Sequence, residues 1–381
     1  MGKRAGVRRV LVATAAVAIL ASACTGGGRS VDPAPRVVEP TAPAATADAA
    51  PVVIEAGWQS ADPGPLTSRF GPAVVWTGDE VVIWGGRNDD GALGDGAAFD
   101  PVTRTWRLLS PTRFAARAWP VAAWTGAEMI VIGGVDSDDR SLSGAAAYDP
   151  AADSWREVDL AWSAIAPFSG AVWTGQEVVV VGAIPPPTGD PADVVAIDPV
   201  GGVVRSLAPY GEAARRALAV RWDGAAIVAA TIDDALDVEI RRLDPVDGQV
   251  IEAATLAGVR GLDVDPFAIA AVGDAIAAPV HYASGAILSE GEAERLGPSG
   301  SVTRWPAAIV GDLVSYGDVA LDVMTGEWVE TPLPDPTWDR EFPTAVSTGS
   351  AVVVWGGNAC GRDGACDAII DPAQTLIWSP A

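Results

Sequence analysis

Four arginines occupy one repeated position in this sequence, and their side chains suit the binding of carboxylates. Each stands nine residues before a turn glycine, and in three repeats an aromatic residue stands two positions after the arginine position. A guanidinium group binds a carboxylate through two parallel hydrogen bonds, and a neighbouring aromatic ring offers a stacking surface. We therefore predict a ligand site formed by Arg69, Arg117, Arg215, Arg340, Trp119, Phe168 and Phe342.

Other chemistry finds little support in the sequence. His281 is the only histidine, which excludes a zinc or copper site built from several imidazoles. It also leaves a Ser/His/Asp triad with one candidate base and no nucleophile-elbow motif. The acidic stretches at 89–95 and 136–139 lack the ligand order of a calcium loop and are expected to be solvated surface. We predict no catalytic residues, no metal and no cofactor.

The arginines belong to a repeat that carries two marks in each unit. The first mark is the turn glycine, which recurs at intervals of 48 or 49 residues and later of 38. The second mark is an Asp-Pro turn or a variant of it, as in FDPVTRTW from Phe99 and, in the last unit, IDPAQTLI from Ile370. The glycines define seven units at Gly78, Gly126, Gly175, Gly224, Gly273, Gly311 and Gly349.

Each unit is predicted to hold four antiparallel strands. Strands one and two flank the glycine turn, strand three ends at the Asp-Pro, and strand four begins near the following Trp. Asp at the first turn position accepts hydrogen bonds from the backbone beyond it, and Pro presets φ. Strands one and two are apolar on both faces, which predicts burial on both sides. Sheets stacked radially around an axis meet this requirement, since each packs against its neighbours.

These features resemble the kelch repeat of β-propellers. The resemblance covers residues 66–381 and rests on a period near 50, a double glycine after strand two, and an aromatic residue before the turn Asp. The double glycines at 85–86, 133–134 and 356–357 carry it best. It implies an all-β, seven-bladed β-propeller with four antiparallel strands per blade, although six or eight blades also fit. Galactose oxidase shares the repeat class, but its Tyr and His copper ligands cannot be placed here.

The resemblance also bears on the arginines and on ring closure. Kelch units often carry an arginine at this position that only pairs with a neighbouring carboxylate or carbonyl, so a structural role remains the alternative to ligand binding. The segment AGWQSADP around Trp58 predicts an extra outer strand. Propellers often close their ring with strands from both termini, and the sequence leaves open whether this segment or the C-terminal LIWSP takes that place.

Blades of this kind predict two unlike ends for the molecule. The short one-to-two and three-to-four turns share one end, whereas the two-to-three and four-to-one loops share the other and vary in length between units. Variable loops on a rigid scaffold commonly carry binding function. The repeated arginines lie in the four-to-one loops, so we expect them near the central opening of the loop-bearing end.

The N-terminus is predicted to be a lipoprotein signal peptide over residues 1–23. A basic start precedes an apolar run that is too short to span a bilayer, and the run ends in small residues before Cys24. An ordinary cleaved signal is the alternative. In bacterial lipoproteins such a cysteine is lipidated, which implies a cell-membrane anchor on the extracytoplasmic side. Residues 24–52 are rich in Gly, Pro and Ala and predict a disordered tether before a propeller at 53–381.

Charge and cysteines narrow the function further. The net charge of −24 argues against nucleic acid and against a membrane contact other than the lipid anchor. Cys360 and Cys366 are predicted to form a disulfide outside the cytoplasm. We predict a monomeric binding module for a protein or an acidic small-molecule or carbohydrate ligand. The alternatives are a carbohydrate-active enzyme similar to sialic-acid epimerases or sialidases, which would use Arg and carboxylates, and a scaffold of a cell-envelope complex.

Overall fold

The computed structural model describes the chain in segments. These are residues 56–160, 170–182, 194–207, 216–232, 237–260, 270–272, 275–280, 284–289, 292–296, 308–333, 340–341, 343–359, 368–369 and 375–380. They contain strands and turns, and among them there is no helix long and apolar enough to cross a membrane. Residues Val52–Ala381 form one compact unit. Within the described segments, seven antiparallel sheets have four strands each.

The sheets follow one another along the chain. Their strands, from the first to the fourth, are the following. Sheet 1 has Ala73–Trp76, Val81–Trp84, Gly96–Asp100 and Thr105–Leu108. Sheet 2 has Val121–Trp124, Met129–Ile132, Ala145–Asp149 and Ser154–Val158. Sheet 3 has Gly170–Trp173, Val178–Val181, Val194–Ile197 and Val204–Ser206. Sheet 4 has Arg216–Trp222, Ile227–Ile232, Asp237–Leu243 and Val250–Arg260.

The remaining sheets complete the set. Sheet 5 has Ala270–Val272, Ala275–Val280, Ser284–Ser289 and Glu292–Leu296. Sheet 6 has Ala308–Val310, Leu313–Ser315, Val319–Asp322 and Trp328–Glu330. Sheet 7 has Thr344–Ser347, Val352–Trp355, Thr375–Ser379 and the N-terminal strand Gly57–Ala61. Two small sheets join Arg87–Asn88 to Gly91–Ala92, and Asn358–Ala359 to Arg340–Glu341 and Ala368–Ile369.

The first strands lie beside one another in a closed order, from sheet 1 through sheet 7 and back to sheet 1. Apolar clusters fill the spaces between sheets 6 and 7, between sheets 7 and 1, and between successive sheets from 1 to 4. One cluster joins Val82 and Trp84 of sheet 1 to Val131 of sheet 2, and another joins Ile83 of sheet 1 to Trp355 of sheet 7. The arrangement is a β-propeller of four-stranded antiparallel blades, as the two-sided apolar strands predicted.

The second strands carry the core of each blade. All four residues are buried in VVIW, MIVI, VVVV and VVVW of sheets 1, 2, 3 and 7. β-Branched residues favour the extended backbone, and burial on both faces removes the alternation that a half-exposed strand would show. Burial of such a side chain stabilises the fold by roughly 1.5–3 kcal/mol, and the third strands of the same sheets are buried to a similar extent.

The turns behave as their residue types predicted. Asp100 Oδ1 accepts hydrogen bonds from the backbone N–H groups of Val102 and Thr103 at 2.7 and 3.1 Å. The hydroxyl oxygen of Thr77 likewise accepts from the N–H of Glu80 at 2.9 Å. Equivalent contacts recur at Asp149, Asp322 and Thr125, so these turns are held by their own first side chains.

Sheet 7 corrects the assignment of the last repeat. The segment Thr375–Ser379, which was expected to begin a fourth strand after IDPAQ, is the third strand and pairs with Val352–Trp355. The fourth strand is Gly57–Ala61, which pairs with the opposite edge of Thr375–Ser379. The predicted outer strand at Trp58 is therefore confirmed, and both candidate segments belong to the same sheet. The Asp-Pro at 371–372 precedes the third strand instead of following it.

Candidate functional site

The long connections of sheets 1 and 2 lie together at one end of the blades, which we name the loop end. Phe70, before the first strand of sheet 1, pairs with Arg87, which follows the second strand. Ala118 pairs with Val135 in the same way in sheet 2. The glycine and Asp-Pro turns lie at the opposite end, which we name the turn end. The predicted separation of the two kinds of connection is confirmed for these two sheets.

The double glycine allows backbones to meet at the loop end. Gly86 N–H donates to the carbonyl oxygen of Arg117 in the next sheet at 2.9 Å. A Cβ on Gly85 would lie 2.8 Å from that same oxygen, and a Cβ on Gly86 would lie 2.8 Å from the carbonyl oxygen of Phe70. Both glycines also have positive φ. Glycine is favoured here because a side chain on Gly85 would meet the backbone of the next sheet, and one on Gly86 would meet the loop before the first strand of its own sheet.

Arg69 is bonded entirely within the protein. Its side chain has no exposed surface, and its Nη1 and Nη2 donate to the two carboxylate oxygens of Asp95 at 2.7 and 3.2 Å. Nε donates to the carbonyl oxygen of Thr67 at 2.9 Å, and Nη1 also reaches that of Gly85 at 3.1 Å. Burial raises the pKa of Asp95, but the hydrogen bond and charge of Arg69 outweigh it and the net pKa is lowered. The Asp95 carboxylate therefore occupies the position at which a ligand carboxylate would bind Arg69.

Arg117 occupies the same position in sheet 2 but has no carboxylate partner among the described residues. It is 2% exposed. Its Nε donates to Ala115 O at 3.0 Å, and its Nη1 donates to Gly133 O at 2.7 Å and to Ser143 O at 3.4 Å. Phe114 covers one face of the guanidinium, with the ring centroid 3.5 Å from Cζ. Burial lowers the pKa of Arg117 to about 10, so it remains charged at neutral pH.

Trp119 adds an aromatic surface at the loop end in an unusual backbone conformation. Its φ is 48°, and Gly71 holds the equivalent position of sheet 1 with a φ of 53°. A left-handed conformation costs a residue with a side chain roughly 1–2 kcal/mol. The indole ring covers Gly71, where a Cβ would lie 2.4 Å from it. The guanidinium of Arg87 lies 5.4 Å from the centre of the Trp119 ring.

Arg87 connects this ring to an acidic loop. It forms an ion pair with Asp139 of sheet 2 at 2.5 Å, and the Asp139 side chain is 68% exposed. The acidic loop that the sequence predicted as solvated surface therefore supplies a partner to the Arg87–Trp119 stack. The cluster of Arg87, Trp119 and Asp139 presents a cation, an aromatic face and a carboxylate side by side at the loop end.

The turn end carries a second arrangement of charges that the repeat analysis missed. The fourth strands of sheets 1, 2 and 3 contain Arg107, Arg156 and Arg205, and each arginine forms a two-point ion pair with a glutamate of its own glycine turn. These pairs are Arg107–Glu80, Arg156–Glu128 and Arg205–Glu177. The signal was present in the sequence as a glutamate two residues after the turn glycine and an arginine one residue after the Trp position.

These ion pairs also connect successive sheets. Arg156 Nη1 donates to Pro199 O of sheet 3 at 3.0 Å, and Arg205 Nη1 donates to Val246 O of sheet 4 at 2.5 Å. The glutamate hydrogen bond raises the pKa of each arginine above its ordinary value. Each of the three guanidinium nitrogens of these arginines donates to a partner within the protein, which holds the side chains in place at the turn end.

Several predicted residues lie outside the described segments or are described only in part. Arg340 is described as backbone in the strand Arg340–Glu341, which pairs with Asn358–Ala359. The others that fall outside are Arg215, Phe168, Phe342, Cys24, Cys360, Cys366 and His281. Within the described segments no group of three or more His, Cys, Asp or Glu side chains is placed to hold a metal ion.

No protein-family model matches this sequence, and comparison with curated proteins found no significant match.

Proposed function

We propose that this chain is a membrane-anchored, extracytoplasmic binding module, built as a seven-bladed propeller of kelch type, which binds a protein or an acidic ligand at its loop end. The seven four-stranded sheets and the closed order of their first strands support the blade number. The double glycines that admit the neighbouring backbone support the kelch type.

Trp119 is the observation that carries the binding role. A large side chain in a left-handed conformation is retained only when something over-determines it, and such strain concentrates at ligand sites. The equivalent residue of sheet 1 is Gly71, and the Trp119 ring packs over it. Trp119 is partly exposed and carries Arg87 against its ring, which is a surface suited to a ligand with both apolar and charged groups.

The entry point of the chain supports the proposed anchor. Gly57, the first residue of the fourth strand of sheet 7, pairs with Ser379. By register, Ser379 corresponds to Asp100 of sheet 1, where the third strand reaches the turn end. The chain therefore enters the propeller at the turn end. A tether over residues 24–52 that carries a lipid on Cys24 would join the propeller at that end.

The anchor is tested by expressing the full chain and a Cys24→Ser variant. The proposal expects wild type to enter the detergent phase and its mature N-terminal peptide to carry the mass of a diacylated cysteine, with both features lost in Cys24→Ser. Release of soluble wild-type protein would contradict the lipid anchor. The same sample, analysed without reductant, should yield a peptide pair linked through Cys360 and Cys366.

The binding role is tested by screening the purified full chain in detergent against uronic acids and aspartate-containing peptides, with the unfolding temperature as readout. Trp119→Gly adopts the backbone of sheet 1 and should weaken any hit at least tenfold. Val200→Ser is the matched control because Val200 is 85% exposed at the turn end. Equal binding by both variants would contradict a site at the loop end.

A further inference from the structure

Arg69 and Arg117 differ in their partners, because Arg69 pairs with a carboxylate and Arg117 has none among the described residues. The two side chains make the same backbone contacts, since each Nε reaches the carbonyl two residues earlier and each Nη1 reaches the first glycine of its own double-glycine pair. Asp95 completes the bonding of Arg69, and Ser143 stands at the corresponding position of sheet 2. Ser143 offers only its carbonyl oxygen, 3.4 Å from Nη1, and Nη2 of Arg117 has no hydrogen bond to the described residues.

A buried guanidinium without a counter-ion is costly to the fold. Removing a charge from water is compensated only when an opposite charge or a full set of hydrogen bonds takes the place of the solvent. Arg117 has two carbonyl partners at good distance and an aromatic ring, but no negative charge among the described residues. The lowered pKa of Arg117 has the same cause, which is burial without a compensating anion.

We propose that Arg117 is the anion-binding centre of the loop end and holds the carboxylate of a ligand in the place that the Asp95 carboxylate takes beside Arg69. This inference rests on the proposed binding function and names its ligand class. Phe114 blocks one face of the guanidinium, so the ligand approaches the Nη2 edge, next to the exposed Ser143. A monovalent carboxylate fits because one guanidinium supplies one charge and two parallel N–H donors, whereas a phosphate dianion needs more.

Exchanging the residues found at positions 95 and 143 tests the proposal. Ser143→Asp should place a carboxylate on Arg117 from within the chain, as in sheet 1, and should raise the unfolding temperature while it blocks the ligand. Ser143→Asn is the control of equal size without charge. Asp95→Ser should open the same site on Arg69 and create a second one.

The probe is sodium acetate, titrated against the full chain in detergent with sodium chloride exchanged to keep the ionic strength constant. Wild type and Ser143→Asn should gain unfolding temperature with acetate, because a ligand that binds only the folded state stabilises it. Ser143→Asp should bind acetate at least tenfold more weakly, and Asp95→Ser should show a larger acetate-dependent gain than wild type. Equal acetate responses in wild type and Ser143→Asp, or none in wild type, would overturn the proposal.

Two larger ligands distinguish failure of the Arg117 site from failure of the proposed binding function. Glucuronate and the N-acetyl amide of aspartate carry the same group on a sugar and on a peptide, and the stronger of the two identifies the source of the carboxylate. Either should compete with acetate and be excluded by Ser143→Asp. One outcome is that acetate binds wild type but not Ser143→Asp while no larger ligand binds more strongly than acetate. That result would support the Arg117 site and count against the binding module. A larger ligand that binds wild type and Ser143→Asp equally would support the binding module and count against the Arg117 site.

Discussion

Asp95 supplies the charge that allows Arg69 to be buried at the loop end. The pair is asymmetric, because the Arg69 side chain is fully buried and the Asp95 side chain is 56% exposed. The sequence predicted the arginine by its spacing and named a structural pairing as the alternative. It did not identify the partner, because Asp95 lies 26 residues away in a loop whose length varies between repeats.

Asp95→Asn is therefore expected to destabilise the propeller by about 1–3 kcal/mol at neutral pH, since a buried charge loses its partner. The lowered pKa of Asp95 means that its contribution is present above the ordinary carboxyl pKa of 3.8 and is lost as the pH falls further through the folded value. The difference in free energy of unfolding between wild type and variant, measured by urea unfolding, should thus shrink below that pH. Asp138→Asn removes an exposed pair with Arg140 and should cost no more than about 1 kcal/mol.

Alanine substitutions at two glycines of sheet 2 distinguish the cost of a left-handed backbone from the cost of a steric clash. Gly126 and Gly134 share a φ of 94°, but a Cβ on Gly126 would meet nothing within 4 Å, whereas one on Gly134 would lie 2.7 Å from Ala118 O. Gly126→Ala should cost roughly 1–2 kcal/mol for the left-handed conformation alone. Gly134→Ala should cost about 1–3 kcal/mol more, because the loop before the first strand must move. Equal losses of unfolding free energy would show that the double glycine is needed only for its φ.

At the scale of elements, the glycine turn and the fourth strand are coupled by charge. The Arg–Glu pairs recur only in sheets 1, 2 and 3 among the described sheets. Sheet 4 has Ala226 at the glutamate position and uses an ion pair between Arg242 of its third strand and Asp223 of its glycine turn at 2.6 Å. In sheets 1 to 4 an acidic side chain of the glycine turn therefore pairs with an arginine. The arginine comes from the fourth strand in sheets 1 to 3 and from the third strand in sheet 4.

A double-mutant cycle measures this coupling in sheet 2. Glu128→Gln and Arg156→Gln should each destabilise, and the double variant should lose less than the sum by about 0.5–1 kcal/mol, since both side chains are partly exposed. Denaturant unfolding of the four proteins supplies the values. Strict additivity would mean that the glutamate contributes nothing to holding Arg156 against Pro199 O.

The strands themselves were predictable because their pattern is local. Two-sided apolar runs, glycine turns and Asp-Pro turns identified the four-stranded unit, and the structure confirms it in sheets 1 and 2 strand by strand. The last unit was assigned wrongly because the Asp-Pro at 371–372 imitates the repeat mark. Which strand pairs with which is decided there by closure between the two ends of the chain, and no local signal carries that information.

At the scale of the whole molecule, the N-terminal strand joins the last sheet and closes the ring. Trp58 packs against Trp378 of the same sheet with ring centroids 6.2 Å apart, and its Nε1–H donates to Thr331 O of sheet 6 at 2.9 Å. The strand therefore connects two blades as well as two termini. This closure depends on residues that are more than 270 positions apart along the sequence.

Trp58→Ala is expected to destabilise the propeller by about 2–4 kcal/mol and to make residues near both termini more sensitive to proteolysis. Trp58→Phe is the matched control, because it keeps an aromatic ring to pack on Trp378 and removes the hydrogen bond to Thr331. It should lose about 1 kcal/mol. If Trp58→Ala unfolds at the wild-type temperature, the N-terminal strand does not close the ring.

The central claim is that the loop end holds a carboxylate on Arg117. The most direct measurement is a crystal structure of the protein grown in sodium acetate. The account predicts a carboxylate joined to Nη1 and Nη2 of Arg117, which superposes on the Asp95 carboxylate when sheet 2 is overlaid on sheet 1. A guanidinium bonded instead to a carboxylate of its own chain, or one that is bare in acetate, would contradict it.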